Sequence, residues 1–332
     1  MIAQINRRYI KLGFLAVYRR LLSYFLFEGR PLTTKGRWIN SFVFFGFRIF
    51  NLFPILNRKI SPVFLVGIGR SGTTILGKLL SAHSKIGYLN EPKAIWHYSF
   101  GDEDLVGSYA SPETEAFVRP ELAQNMKGGT KLKKVYSWYQ KLAGTPILID
   151  KYPELIFRVD DLIKIFPDAK FIAIARNGHA VAESIHEWSE KHHDDSESAN
   201  WWGRNDRKWN ILVNDILANE KWSHLKSPLA MEVSEKERGI IEWWYTMSEL
   251  HYCLKKYEKK FHLVRHEDLC ERPREEINGI LDFLELSREP KMMNFVDHEI
   301  NTSQRSPRTT TVPEFLKDEF NKIQSAFDYE TY

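Results

Sequence analysis

The stretch Val63-Phe64-Leu65-Val66-Gly67-Ile68-Gly69-Arg70-Ser71-Gly72-Thr73-Thr74-Ile75-Leu76-Gly77-Lys78-Leu79-Leu80 decides the fold. Its first four residues are a short apolar run rich in β-formers and bounded by glycine, the signature of a buried strand. From Ile75 onward the apolar residues recur at helical spacing. Between the two, Gly67, Gly72 and a closing hydroxyl stand at the spacing of a phosphate-binding loop, where backbone N–H groups and a helix N-terminus cradle an anion. One position departs from the triphosphatase pattern. The Lys that should follow the second Gly is Thr73, and the cation has moved inside the loop, to Arg70. Triphosphatases set that Lys on the β- and γ-phosphates and the next hydroxyl on magnesium. A loop without it is suited to a shorter anion. The bland reading is a tight glycine turn, but strand, loop, cation, paired hydroxyls and helix in that order speak against it.

The pattern repeats along the chain. Pro146-Ile147-Leu148-Ile149, Lys170-Phe171-Ile172-Ala173-Ile174-Ala175 and Phe261-His262-Leu263-Val264 read as further buried strands. Asp160 or Asp161 is placed to cap a helix that Pro167-Asp168 ends, and Ala180 to Trp188 reads as the helix after the third strand. Strands alternating with helices predict an α/β fold: a P-loop-like three-layer α/β/α domain with a central parallel sheet, its ligands at the carboxyl ends of the strands. The sharpest boundary falls at Ser61-Pro62. It separates an aromatic, basic extension (residues 1–60) from the α/β domain (residues 61–332).

Composition narrows the classes. With 43% hydrophobic and 14% aromatic residues the chain can fill a real core, which excludes disorder throughout. A net charge of +4 suits a small anion in a local pocket better than a nucleic-acid backbone. Cys253 and Cys270 form neither a disulfide framework nor a zinc pattern, so a reducing, cytoplasmic setting is expected. Near the N-terminus, Arg19 and Arg20 cut short the apolar run Leu12–Val17, and no cleavage site follows, against a signal peptide. The run from Trp38 to Leu56 is long enough to span a bilayer, but Arg48 sits near its middle, at a cost of ~2.5–3.5 kcal/mol. Packing on the α/β domain is expected, or a membrane-peripheral position with Arg19, Arg20, Lys35 and Arg37 facing lipid phosphates.

Arg70-Ser71-Gly72-Thr73-Thr74 behind a buried strand resembles the 5′-phosphosulfate loop of the 3′-phosphoadenosine 5′-phosphosulfate (PAPS)-dependent sulfotransferase family, in its carbohydrate- and protein-modifying branch. The resemblance implies that these five residues hold the 5′-phosphosulfate. It also implies a 3′-phosphate site, an Arg leaving a strand and a Ser eight positions on, which Arg176 and Ser184 match. A guanidinium fork and a hydroxyl suit phosphate chemically. Family members often carry Pro where Gly178 stands.

Transfer to a hydroxyl needs a base beside the loop. In several branches a Glu follows the first helix at about the distance of Glu91, with His97 the second candidate; His83 reads as a packed or capping histidine. Asp150-Lys151-Tyr152-Pro153 resembles the family element whose Lys reaches the reacting group, so Lys151 and Arg70 are expected to stabilise charge. The resemblance implies PAPS as donor, a hydroxylated carbohydrate, lipid or other acceptor, and no metal. Arg265–Leu269 is read as structural, and Arg305 or Arg308 as a possible aid to the 3′-phosphate or a solvated tail. Seven tryptophans between Trp188 and Trp244 suit a sugar or glycolipid, though packing accounts for most of them. His192-His193-Asp194-Asp195 is an exposed loop rather than a metal site, since adjacent side chains rarely converge on one ion. The rival readings are a P-loop kinase or triphosphatase and a non-catalytic nucleotide-binding module.

Overall fold

A computed structural model describes the chain except for residues 1, 32–35, 56–59, 102, 110, 112, 193–200, 230–232, 301–309 and 332. The elements that build the site are α1 (Phe14–Leu26), α2 (Asn40–Leu52), β1 (Val63–Gly67), α3 (Thr73–Leu80), β2 (Ile86–Asn90), α4 (Lys93–Ser99), α5 (Met126–Ala143), β3 (Ile147–Lys151), β4 (Lys170–Ala175), α6 (Gly178–His192), α7 (Arg207–Ala218), α8 (Glu235–Lys256) and β5 (Phe261–Arg265). The strands form one all-parallel sheet in the order β2-β3-β1-β4-β5.

The period-two alternation of a strand sorts its side chains between two cores. Phe64 and Val66 of β1, with Phe171 and Ala173 of β4, face a core completed by α5, α6 and α8. Val63, Leu65, Ile172 and Ile174 face the opposite core, with Leu76, Leu79 and Leu80 of α3 and the helices Pro273–Phe283 and Pro290–Glu299. Both faces of the sheet are thus covered, which is why these strands read as continuous apolar runs. Each fully buried Phe or Leu contributes ~1.5–3 kcal/mol. The α/β three-layer expectation is met.

Three local readings need correction. β2 adds a strand with little sequence signal, because Ile86-Gly87-Tyr88-Leu89-Asn90 is short and weakened by an internal glycine. Asp160 and Asp161 do not cap their helix, Val159–Ile165; they lie in its first turn, and Asp161 accepts instead from the Leu122 N–H (2.8 Å). Arg19 and Arg20 do not face lipid. Arg20 is buried and donates to both oxygens of Glu28 (2.7 and 2.9 Å), while Arg19 donates to the Ala143 and Ser84 carbonyls. Glu28 in turn accepts from the Asn90 N–H (2.7 Å), and Arg20 donates to the Tyr88 carbonyl (3.1 Å). This buried pair fastens residues 20–28 to β2. No helix among the described residues is long and apolar enough to cross a membrane. The run read as membrane-length contains the 13-residue α2, whose Val43 and Phe47 are buried.

Candidate active site

Strand ends in register bring the loop of β1 and the ends of β2 and β3 to one level. Leu65 of β1 and Asn90 of β2 are both paired with Lys151, at the end of β3. The loop between β1 and α3 keeps its glycines for spatial reasons. At Gly67 (φ 146°) a Cβ would sit 2.6 Å from the Ile174 carbonyl oxygen. At Gly72 (φ 94°), which caps α3, it would sit 2.5 Å from Nδ1 of His266. The first-turn N–H groups of α3 have no intrahelical acceptor and point at the loop's concavity.

The loop draws the two sequence-predicted anion elements together. Arg70 Nε donates to Ser184 Oγ (3.1 Å), and Arg176 Nη1 donates to the Arg70 carbonyl (2.6 Å). Trp243 Nε1 donates to the Arg176 carbonyl, and Glu267 accepts from the Asn177 N–H, so the turn after β4 is held on both sides. Burial pushes both guanidinium groups below their ordinary range, and for Arg70 the nearby Arg176 adds to the effect. Two arginines share a partly desolvated site, an arrangement an anion would relieve. Ser71 is fully buried and spends its hydroxyl on the Ile68 carbonyl (2.5 Å), which braces the loop. Thr73 and Thr74 line the adjoining cavity.

That cavity, of about 390 Å³, is also lined by Gly69, Arg70, Glu91 and Lys93. Lys151 Nζ donates to Glu91 Oε1, and Lys93 Nζ lies 3.7 Å from Oε2. Burial alone would raise the Glu91 carboxyl, but Lys151 first and Lys93 next outweigh it and hold the group down at about 2. Glu91 and Arg70 are both non-glycine residues at positive φ (47° and 68°). Each costs ~1–3 kcal/mol, strain of a kind that clusters at functional sites. His97 lies outside the cavity lining, its ring against Tyr109 and Phe44. His83 is packed, with Nε2 at 2.9 Å from the Ser287 carbonyl oxygen. Asp150, one residue before Lys151, points into the core completed by α5, α6 and α8. There it accepts from Tyr136 and Trp96, and burial pushes it up to about 7 against those hydrogen bonds.

Several lining residues carried no sequence signal. Lys208 of α7 is buried and donates to Glu242 (2.6 Å) and Glu154 (3.2 Å). Arg20, Tyr24, Glu28 and Arg30, from the N-terminal extension, form a wall of the cavity. Of the seven tryptophans, Trp188 and Trp201 line it; Trp202, Trp209, Trp222, Trp243 and Trp244 are buried as packing. Lys35, Arg305, Arg308 and the His193-Asp194-Asp195 run lie outside the described residues. Among the described residues no group of three or more His, Cys, Asp or Glu is placed to hold a metal.

Comparison with known proteins accords with this geometry. The nodulation protein NoeE of Sinorhizobium fredii (strain NBRC 101917 / NGR234) is 30% identical over 142 residues, 39% of this chain; the match spans 33% of that relative's length. Two solved structures share the fold. The sulfotransferase domain from the curacin biosynthetic pathway has a TM-score of 0.51 at 17% identity, covering 82% of this chain and 100% of its own. The sulfotransferase domain from the Synechococcus PCC 7002 olefin synthase has a TM-score of 0.52 at 16% identity, covering 84% and 98%. Residues 62–234, from the strand before the loop to the start of α8, match the sulfotransferase family, and the chain belongs to it.

Proposed function

We propose that this chain is a PAPS-dependent O-sulfotransferase, moving a sulfuryl group to a hydroxyl of a carbohydrate, glycolipid or other acceptor and releasing 3′-phosphoadenosine 5′-phosphate (PAP). The observation that supports it most is the convergence of Arg70, Arg176 and Ser184 at the carboxyl ends of β1 and β4. In this reading Arg70, Thr73, Thr74 and the first N–H groups of α3 hold the 5′-phosphosulfate, with Ser71 and Gly72 shaping the loop. Arg176 and Ser184 hold the 3′-phosphate. The donor supplies an activated sulfuryl group on a phosphate leaving group.

Glu91 is the base. Its ionised carboxylate already lies in the cavity, but Oε1 is occupied by Lys151 Nζ and binds a proton weakly there. Withdrawal of that ammonium toward the transferring group would free Oε1 and raise its proton affinity. Oε1 could then take the acceptor's proton while Lys151 and Arg70 balance charge. Trp188 and Trp201 offer rings on which a sugar acceptor would stack.

Titration calorimetry with PAP, ADP and ATP plus magnesium tests the donor. PAP should bind best, and Arg176→Ala should weaken PAP by roughly 10- to 100-fold while leaving ADP unchanged, because only PAP carries the 3′-phosphate. A preference for ATP with magnesium would sink the proposal.

A further inference from the structure

We infer that the outer face of α1 and α2 docks on an anionic lipid bilayer and holds the cavity mouth beside the headgroups. Phe42, Phe45, Ile49 and Leu52 recur at i, i+3, i+7 and i+10, one face of α2, and are 65%, 61%, 38% and 82% exposed. Trp38 precedes them at 73% and meets Phe42 edge-on. The opposite face of α2 is apolar too, with Val43 and Phe47 buried. A helix apolar on both faces has one partner in the fold and needs another. Phe14 and Phe25, on one face of α1, extend the exposed aromatic surface.

Charge selects the occupant. Residues 1–60 contain eleven Lys and Arg against one acid, Glu28, which is buried against Arg20. Arg7, Arg8, Lys11, Arg37 and Arg48 are exposed. Helix α5 packs on α2 through Trp138 stacked on Phe50 (5.3 Å) and adds five lysines and no acid. Exposed aromatic residues on a segment whose solvent-facing charges, such as Arg37 and Arg48, are of one sign match a membrane whose surface is apolar within and anionic at the headgroups. A second copy of the chain would bring the same positive charge to the contact and be repelled.

The face also continues into the cavity. Asn40, at the start of α2, exchanges two hydrogen bonds with the Arg30 backbone (2.7 and 2.9 Å), and Arg37 Nη2 donates to the Ser108 carbonyl (3.0 Å). Arg30 and Ser108 both line the cavity, as does Tyr24, immediately before the exposed Phe25 and Leu26. If the proposed sulfuryl transfer is right, on which this last step rests, the acceptor hydroxyl is drawn from the headgroup layer.

Sedimentation of the full chain tests the surface, with vesicles of phosphatidylcholine alone or mixed roughly equally with phosphatidylglycerol. Binding is expected only to the anionic vesicles, weakening as salt rises. The triple variant Trp38→Ser/Phe42→Ser/Leu52→Ser and the charge reversal Arg48→Glu should each reduce partition by roughly 10-fold, with unchanged circular dichroism and PAP affinity. The inference is overturned if the chain stays in the supernatant with anionic vesicles at low salt, or if the triple variant binds like the parent. A concentration-dependent dimer that the triple variant dissolves also overturns it, assigning the face to a second copy. Retained PAP binding in those cases confines the failure to the docking surface; lost PAP binding with intact vesicle binding sinks the donor assignment alone.

Discussion

The two sides of the cavity are built in different ways. On the loop side, Arg70, Thr73 and Thr74 follow directly from β1, a strand buried on both faces, with Arg176 at the end of the neighbouring β4 behind Arg70. On the opposite side, Arg20, Tyr24, Glu28 and Arg30 arrive from a segment outside the sheet, fastened to β2 by a buried ion pair. The first side takes its rigidity from the core. The second takes its position from that pair, from Arg19 on the Ala143 and Ser84 carbonyls and from Leu22 and Phe27 in the core, residues all outside the strands, so the two should fail separately when perturbed.

The largest expected effect lies where they meet. Glu91→Gln should lower kcat by roughly 10²–10⁴-fold without changing PAP affinity. Lys151 holds Glu91 at about 2, so the parent's kcat/KM should show no acid limb from this group until the pH falls toward that value. Lys151→Met should move the limb up toward ~4.3, the ordinary value for Glu. An unmoved limb, measured as kcat/KM against pH, would break the Glu91–Lys151 assignment.

Next comes Glu28→Ala, which leaves the Arg20 guanidinium buried and unpaired. Loss of ~3–5 kcal/mol in denaturant unfolding is expected, with PAP affinity retained. If PAP affinity falls in step with stability, the two sides are one unit and the contrast fails.

An effect of similar total size is spread over pH. Asp150 has a folded-state value of about 7, above the ~3.9 of an exposed Asp, so its contribution is fully present below the lower value and is lost as pH rises to the higher. The stability of Asp150→Asn relative to the parent should therefore improve by up to ~1.4 kcal/mol per pH unit across that window and level off above it. Thermal melts from pH 4 to 8 check this, and a gap constant with pH would remove Asp150 as a buried, titrating group.

The sequence disclosed what is local. Arg70 and Thr73 are readable because strand, loop and helix are contiguous, and Arg176 and Ser184 because one turn joins a buried strand to its helix. What needs two distant segments was not readable. The Arg20–Glu28 pair gains its meaning only when β2 lies beside it, and Gly87 hid that strand. Lys208 sits in a run of polar residues with nothing nearby to mark its two carboxylate partners, Glu154 and Glu242. Phe42 and Leu52 were visible as apolar residues, but only the packing of Val43 and Phe47 shows which side of the helix is left outward.

The pleat of β3 has a consequence for tolerance to insertions and deletions. Asp150 and Lys151 occupy opposite faces, one hydrogen-bonded beneath the sheet and the other reaching Glu91. Removing a single residue from the strand would exchange them, delivering a carboxylate to the cavity and an ammonium to the apolar core. Length changes in this protein should therefore fall outside β3, which admits substitutions but no change of count.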